Sequence, residues 1–381
     1  MFIVLIGCVS LFADMTYEGG RSIAGPFLGA LGASAVVVSV VAGLGEFLGY
    51  GVRYLSGRAA DRHGRYWPIM AGGYIVNLLA VPLLALAASW PAAMVLLVAE
   101  RVGRAIRAPI RSAMLSHAAT RTGAGWGFGL HTALDQTGGM AGPLLVAAVV
   151  ATSANYRLSF AILLAPALAS LTVLAAARLL YPDPRGLELA IPGVEPGVWS
   201  GFGRNFRLYT IAAALVGAGF VDFALIAFYL GKAAVVSASA IPMLYALAMA
   251  TEGTAALLLG RLLDRFGHAV LIAGIVLAAA ATPLVFLAGV AGAVGGAALW
   301  GVGTAVQDTL FQALLGADIP RDRRATAYGL FDALRGAAWL LGSVALGVLY
   351  TVSLPALVAV SLLLQLAALP VLVFGWRRIA L

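Results

Sequence analysis

Hydrophobic residues dominate this chain in long blocks, which alternate with short links that are charged or rich in proline and glycine. A helix that crosses a lipid bilayer needs about 20 mostly apolar residues, and twelve of the blocks reach that length. The predicted spans cover residues 2–28, 34–56, 66–88, 91–114, 125–150, 157–180, 206–230, 237–260, 269–288, 292–316, 325–350 and 354–375. The pattern therefore predicts an all-α membrane protein with twelve transmembrane helices.

Composition agrees with this pattern and narrows the class of protein. Of the 381 residues, 62% are hydrophobic and 10% are charged, and the mean hydropathy is +0.99. These values exclude a soluble domain with an ordinary polar surface. The formal net charge of +8 does not indicate nucleic-acid binding, because most of the arginines lie in short links between blocks. The single cysteine, Cys8, allows no intramolecular disulfide and no cysteine-based metal site.

The distribution of arginine among the links predicts the orientation of the chain in the membrane. The links after spans 1, 3, 9 and 11 contain no Lys or Arg, whereas those after spans 2, 4, 6, 8 and 10 all contain Arg. By the positive-inside rule, the arginine-containing links and both termini are cytoplasmic. Only Arg157 and Lys232 are placed near the outer side. We expect a multi-pass protein of the inner (cytoplasmic) membrane whose N-terminus is a retained first helix.

A long polar link after the sixth span divides the chain into two parts. Residues 181–205 contain four prolines and are predicted to be a cytoplasmic linker between six-helix bundles at 1–180 and 206–381. The two bundles also share a sequence repeat at an offset of 200 positions, in which Val102, Gly103 and Ala105 recur as Val302, Gly303 and Ala305. Pseudo-symmetric bundles that repeat in parallel are typical of one large class of secondary transporters.

The link between spans 2 and 3 carries a motif that returns between spans 8 and 9. The first copy has Gly57, Asp61, Arg62, Gly64 and Arg65, and the second has Gly260, Asp264, Arg265 and Gly267. This loop resembles the signature loop of the major facilitator superfamily, and the resemblance covers nearly the whole chain. It implies the fold of that superfamily and transport by alternating access. It also implies a cytoplasmic gate, in which Asp61 meets the N-terminal end of the eleventh helix when the transporter faces outward.

Two further motifs resemble patterns of the same superfamily. Arg101, Arg104 and Arg107 in span 4 resemble an arginine region that is linked to proton coupling, although which arginine corresponds is left open. Gly138, Gly142 and Pro143 in span 5 resemble the core of a motif found in exporters that work as antiporters, but the small residues that usually follow are replaced by Leu and Val. The alternative for span 5 is close helix packing with a bend.

Ionisable residues inside the first span are the main candidates for function. Asp14 and Glu18 lie four residues apart and therefore on one helix face, with Tyr17 beside them and Arg21 three residues after Glu18. Charged residues in a membrane span usually face a bundle interior or an aqueous cavity and mark a substrate or proton path. Two neighbouring carboxylates make a natural proton acceptor, and Arg21 is their candidate counter-ion.

Other ionisable residues fall near the predicted membrane centre. The remaining candidates for proton or substrate binding are Glu46, Arg101, Arg104, Arg107, His131, Asp135, Asp222 and Glu252. Fixed ion pairs are the alternative interpretation, with Glu100 bound to Arg104, Glu46 to Arg53 and Asp332 to Arg335. His131 and Asp135 form either a proton relay or a hydrogen-bonded pair that orients its helix.

The sequence contains no motif that indicates an enzyme: it has no P-loop, no GxSxG and no HExxH. It also implies no cofactor and no metal site. We expect a proton-coupled secondary transporter, which exports small cationic or amphipathic compounds by antiport. The alternative is proton-coupled uptake of an anionic metabolite on Arg104 and Arg107. An ion channel fits two helical repeats less well than alternating access. The expected partners are a small molecule, protons and the lipid bilayer, without nucleic acid, and the expected oligomeric state is a monomer.

Overall fold

The computed structural model describes residues 1–33, 49, 51–120, 122–153, 155–183, 203–236, 240–317, 319 and 323–377. These residues contain no β-strand, and every regular element among them is helical. Glu46 and most of the predicted linker lie outside the described residues.

The helices of the first half follow five of the six predicted spans closely, whereas residues 34–48 and 50 of the second predicted span, 34–56, lie outside the described residues. Their bounds are α1 Phe2–Ala30, α2 51–63, α3 Tyr66–Leu83, α4 Trp90–Ala119, α5 Ala124–Ser153, α6 Tyr156–Ile162 and α7 Leu164–Leu180. A single turn of 3₁₀ helix, Leu84–Leu86, extends α3.

The second half has the same all-helical character but more interruptions. Its helices are α8 Arg204–Gly219, α9 Phe223–Lys232, α10 Ala240–Phe266, α11 His268–Ala279, α12 Ala281–Leu287, α13 Gly289–Ala305, α14 Phe311–Ala317, α15 Arg324–Val352, α16 Leu354–Leu366 and α17 Ala368–Arg377. One π-helical turn, Val306–Leu310, joins α13 to α14. Nine helical segments of the described chain are long and apolar enough to cross a membrane. The prediction of an all-α membrane protein is therefore confirmed.

Proline explains why three predicted spans are divided into two helices. The divisions fall after Ile162, Ala279 and Leu366. Each of these residues lies four positions before a proline, at Pro166, Pro283 and Pro370 respectively. Since proline has no N–H group, the carbonyl four residues earlier loses its helical hydrogen bond and the helix is interrupted there.

The division of the seventh predicted span at Phe220–Asp222 has another cause, because this break contains no proline. The Gly219 carbonyl accepts hydrogen bonds from Ser361 Oγ at 2.7 Å and from Gln365 Nε2 at 3.2 Å. The Val221 carbonyl accepts one from Trp300 Nε1 at 2.8 Å. In a membrane, irregular backbone is tolerated only where such groups are satisfied inside the protein. Side chains of distant helices thus stabilise a discontinuous helix.

The chain divides into two compact units, each of which is made of three separate stretches of sequence. Unit 1 comprises Met1–Ala118, Leu134–Leu189 and Arg321–Asp332, and unit 2 comprises Ala119–Ala133, Ala190–Pro320 and Ala333–Leu381. The first part of α5 thus belongs to unit 2 and the first part of α15 to unit 1. The predicted division into bundles at residues 1–180 and 206–381 stays a prediction.

Each unit is held together by an apolar core of large side chains. Phe27, Leu84 and Phe160 are buried together in unit 1, and Phe223 and Phe286 lie in the core of unit 2. Other large apolar side chains point outward, with exposed fractions up to 83%. An outward apolar surface of this kind suits lipid contact.

Candidate functional site

A buried ion pair joins α1 to α4 in unit 1. Arg107 Nη2 lies 3.5 Å from Asp14 Oδ1, and the two side chains are 1% and 9% exposed. The predicted candidate Asp14 is therefore bound by one of the predicted arginines. A pair this far from water is held by its own attraction and by the packing around it.

Arg107 keeps hydrogen-bonding capacity beyond this pair. Its guanidinium carbon lies 4.4 Å from the centre of the Tyr74 ring on α3. Arg107 Nε, Arg107 Nη1 and the Tyr74 hydroxyl are buried and have no hydrogen-bond partner among the described residues. Buried polar atoms are usually satisfied. These three atoms therefore keep hydrogen-bonding capacity that a polar ligand could use.

Arg104 lies one turn before Arg107 and has a different environment. Its guanidinium carbon lies 4.1 Å from the centre of the Tyr17 ring on α1. In the part of the chain that the structure describes, no carboxylate oxygen lies within 4.0 Å of Arg104. In the neighbouring pair, Arg21 Nη1 lies 3.6 Å from Glu18 Oε1, and the Arg21 side chain is 53% exposed. Arg104 is thus a cation stacked on an aromatic ring, a favourable contact that leaves its donors for another ligand.

The fourth arginine of α4, Arg111, contacts both α1 and α5. Arg111 Nη1 lies 3.8 Å from Asp135 Oδ1 and donates a hydrogen bond to Ser10 Oγ at 3.2 Å. The predicted candidate Asp135 therefore has an arginine partner. His131, one turn earlier on α5, is buried with 5% exposure.

Two glycines bring α5 into direct contact with α1 at the level of this cluster. A Cβ atom on Gly138 would lie 1.9 Å from the Leu11 carbonyl oxygen, and one on Gly142 would lie 2.1 Å from that of Met15. No side chain fits at either position. The span 5 motif therefore produces close helix packing, as one of the two interpretations predicted, and Pro143 lies inside the continuous helix α5.

The predicted pairing of Glu100 with Arg104, both on α4, is wrong. Asn77 Nδ2 on α3 donates to Glu100 Oε1 at 2.7 Å and to the Glu100 carbonyl at 3.2 Å. Spacing along α4 allowed the pair with Arg104, but the tight contact with α3 places an amide closer. Asn77 is the only side-chain amide in an otherwise apolar predicted span, and this is the feature of the sequence that could have identified it.

The predicted pair of Asp332 and Arg335 is also wrong. Asp332 Oδ2 lies 3.7 Å from Arg53 Nη1 on α2, whereas Arg335 Nη1 lies 2.8 Å from Asp308 Oδ1 in the π-helical turn. Each side chain therefore pairs with another helical segment and not with its neighbour along α15. The predicted partner of Arg53, Glu46, lies outside the described residues.

The remaining candidates lie in several helices. Glu252 is buried in α10 with 2% exposure, and Asp222 occupies the break between α8 and α9. Arg101 on α4 is half-buried. A π-helical turn with the polar residues Gln307 and Asp308 is a feature that often marks functional sites in helices.

The first copy of the loop motif ends α2 and contacts the beginning of α15. Asp61 Oδ2 accepts hydrogen bonds from Thr326 N and Thr326 Oγ1, both at 2.6 Å, and Asp61 Oδ1 accepts one from Ala325 N at 3.4 Å. A Cβ atom on Gly57 would lie 2.2 Å from the Ala325 carbonyl oxygen. Gly64 makes the turn with φ of +65°. We call this arrangement the Asp61 capping contact.

The second copy repeats this design in unit 2. Asp264 accepts hydrogen bonds from Gly125 N and Trp126 N, both at 2.8 Å, at the beginning of α5. A Cβ atom on Gly260 would lie 2.3 Å from the Gly125 carbonyl oxygen, and Gly267 makes the turn with φ of +59°. We call it the Asp264 capping contact. The other motif residues Arg62, Arg65 and Arg265 are exposed. Carboxylates are favoured at helix N-termini, so both loops use the same chemistry.

The sequence as a whole identifies the family to which these features belong. The sequence model described as the Major Facilitator Superfamily matches residues 7–343. The chain belongs to the Major Facilitator Superfamily. It is accordingly a multi-pass membrane transporter of the secondary class and not an enzyme, and this confirms the family suggested by the loop motif.

Relatives and solved structures are similar to this chain over nearly its whole length. An uncharacterized protein of Mycobacterium tuberculosis is 38% identical over 382 aligned residues, covering 99% of this chain and 93% of the relative. A bacterial homologue of the iron transporter ferroportin, in its outward-facing state, has a TM-score of 0.77 at 15% identity, covering 99% and 100% of the two chains. The human organic anion transporter MFSD10 has a TM-score of 0.80 at 14% identity, covering 97% and 98%. At these identities the two structures establish the fold alone.

Proposed function

We propose that this transporter couples substrate movement to protons through the ion pair of Asp14 and Arg107. The observation that carries the proposal is the burial of this pair, whose side chains are 9% and 1% exposed at 3.5 Å. Neutralising one partner of a buried ion pair leaves the other charge uncompensated, which costs about 3–5 kcal/mol. A proton on Asp14 therefore changes what Arg107 must bind.

The proposed substrate is a small organic anion. Once Asp14 holds a proton, Arg107 lacks a counter-charge, and Arg104 one turn away has no carboxylate within 4.0 Å among the described residues. Two neighbouring guanidinium groups suit a carboxylate or phosphate, which they can bind with several hydrogen bonds. An anion there replaces the charge that Asp14 loses, so proton and anion favour each other's binding. Such linkage produces cotransport, which is the alternative given by the sequence.

Export of a cationic compound by antiport is the second candidate. The pair of Glu18 and Arg21 favours this candidate, because Arg21 Nη1 lies 3.6 Å from Glu18 Oε1 and the Arg21 side chain is 53% exposed. Exposed ion pairs contribute little, about 0–1 kcal/mol, so a cationic substrate could displace Arg21 from Glu18. Proton and cation would then compete for one carboxylate. Asp14 offers less to a cation, since Arg107 already occupies it.

The two capping contacts supply the gate in this proposal. The Asp61 and Asp264 contacts would hold the cytoplasmic side closed in one state of the cycle and separate in the other. A contact made in only one state biases a two-state equilibrium. Placement in the inner membrane, cytoplasmic termini, proton coupling and the monomeric state belong to the same proposal.

Thermal unfolding of the purified protein with chosen probes tests the substrate class. Benzoate and succinate represent anions, tetraphenylphosphonium a cation and glucose a neutral compound. We expect a carboxylate to raise the melting temperature, more strongly at acidic than at neutral pH, because protonation of Asp14 makes Arg107 available. Stabilisation by tetraphenylphosphonium alone, weakening as the pH falls, would instead support the cation exporter.

A further inference from the structure

Glu100 is a buried carboxyl group that, unlike Asp14, forms no ion pair among the described residues. It is 3% exposed and lies about 15 Å along α4 from Trp90, near the middle of a hydrocarbon layer of about 30 Å. Its side-chain partner is Asn77 Nδ2, at 2.7 Å. Of the residues that the structure describes, none places an Arg, Lys or His nitrogen within 4.0 Å of this carboxyl group.

The backbones of α3 and α4 touch around this carboxyl group. A Cβ atom on Gly103 would lie 2.4 Å from the backbone nitrogen of Asn77, and one on Gly73 would lie 2.9 Å from the Gly103 carbonyl oxygen. Asn77 itself is completely buried. This contact holds the two helix backbones together beside the carboxyl group. An ionised carboxylate that is 3% exposed would have little solvent, and no cation within 4.0 Å among the described residues, to stabilise it.

The hydrogen bonds of Asn77 indicate where a proton is needed. Asn77 Oδ1 is buried and receives no hydrogen bond in the described chain. An ionised carboxylate only accepts hydrogen bonds, whereas a protonated one also donates one. A proton on Glu100 would thus complete two hydrogen bonds, from Asn77 Nδ2 to one carboxyl oxygen and from the other oxygen to Asn77 Oδ1. Reversing the amide would place two oxygens 2.7 Å apart, which again requires a proton between them.

None of the surrounding cations makes a direct contact with the Glu100 carboxyl group among the described residues. The titratable side chains around Glu100 are Arg101, Arg104 and Arg107 of α4, Tyr17 and Glu18 of α1 and, one turn before Asn77, Tyr74 of α3. Arg107 is bound to Asp14 at 3.5 Å, and Arg104 is stacked on Tyr17 at 4.1 Å. Glu18 adds negative charge, which disfavours a second carboxylate nearby.

We infer that Glu100 is a proton-binding site separate from Asp14, and that Glu100 and Asn77 form a cyclic pair of carboxylic acid and amide that keeps Glu100 protonated at neutral pH. A movement of α3 away from α4 would admit water, stabilise the carboxylate and release the proton. The role of this release in transport rests on the proton coupling proposed above. The protonation itself does not.

Infrared spectroscopy of the purified protein tests the inference. At neutral pH we expect a C=O stretching band of a buried protonated carboxyl group. Labelling the side-chain carboxyl carbon of glutamate with ¹³C should shift it, which assigns it to glutamate without any substitution. The band should be absent from Glu100→Gln, whose amide still pairs with Asn77, and displaced in Asn77→Leu. It should persist in the control Glu18→Gln and in Asp14→Asn.

Two results would overturn the inference. The first is a wild-type spectrum without a band that responds to labelled glutamate. The second is a band that remains in Glu100→Gln or disappears with Asp14→Asn, because the proton would then be on another residue. Failure of pH-driven transport would overturn the proposed function and leave the infrared assignment standing, so the two outcomes are separable.

Discussion

Replacement of Asp61 by asparagine probes the capping contact between α2 and α15. Asp61 accepts two hydrogen bonds of 2.6 Å and one of 3.4 Å from Thr326 and Ala325. Hydrogen bonds to a charged group contribute about 1.5–3 kcal/mol and those between neutral groups about 0.5–1.5 kcal/mol. The charge also interacts with the helix N-terminus by about 0.3–1 kcal/mol. For this half-buried residue we expect a loss of about 1–2 kcal/mol, which increases the open fraction by about 5–30-fold.

Cysteine labelling measures that fraction. Ser116 is 6% exposed and hydrogen-bonds Tyr328 on α15, so a cysteine at this position reacts only when α15 moves away. In a Cys8→Ala background, Ser116→Cys should react with an impermeant maleimide about 5–30 times faster in Asp61→Asn than in the parent protein. The control Asp183→Asn removes an exposed carboxylate outside the contact and should leave the rate unchanged. An equal rate in Asp61→Asn would refute the reasoning.

Two further substitutions test the packing and the charge of the α1–α4–α5 cluster. Gly142→Ala should lower the melting temperature, by overpacking worth about 1–3 kcal/mol, because its Cβ would lie 2.1 Å from the Met15 carbonyl oxygen. The control Gly139→Ala, whose Cβ would lie 3.5 Å from Gln136 Oε1 as its nearest neighbour, should melt almost as the wild type does, and similar losses for both would contradict the packing argument. Arg104→Gln should abolish stabilisation by benzoate or succinate in thermal unfolding while the protein remains folded, and unchanged stabilisation would remove Arg104 from the anion site.

Much of the fold is predictable from the sequence, because bilayer thickness fixes how many apolar residues a span requires. The loop motif with its second copy also led to the correct family. Even three helix interruptions follow from local chemistry, at Pro166, Pro283 and Pro370. The break after Gly219 does not, because its carbonyl is satisfied by Ser361 and Gln365, more than a hundred residues away. Only tertiary packing brings those donors there.

The site was harder to predict than the fold for the same reason. Spacing along one helix identified the arginine stripe and the carboxylates of α1, but it offered partners on the same helix only. Glu100 bonds across to Asn77 because Gly73 and Gly103 let α3 and α4 approach closely. The depth at which two helices meet depends on such small residues along both of them. One helix read alone does not contain that information.

Proton flux in proteoliposomes tests the central claim, coupling through Asp14, most directly. Vesicles contain a trapped pH-sensitive dye, and a gradient of the carboxylate that stabilises the purified protein is imposed. Wild type should move protons together with the anion. Asp14→Asn should lose the proton flux and keep anion exchange, whereas the control Asp183→Asn, which alters an exposed carboxylate outside the α1–α4–α5 cluster, should retain both. Undiminished anion-driven proton flux in Asp14→Asn would contradict the account.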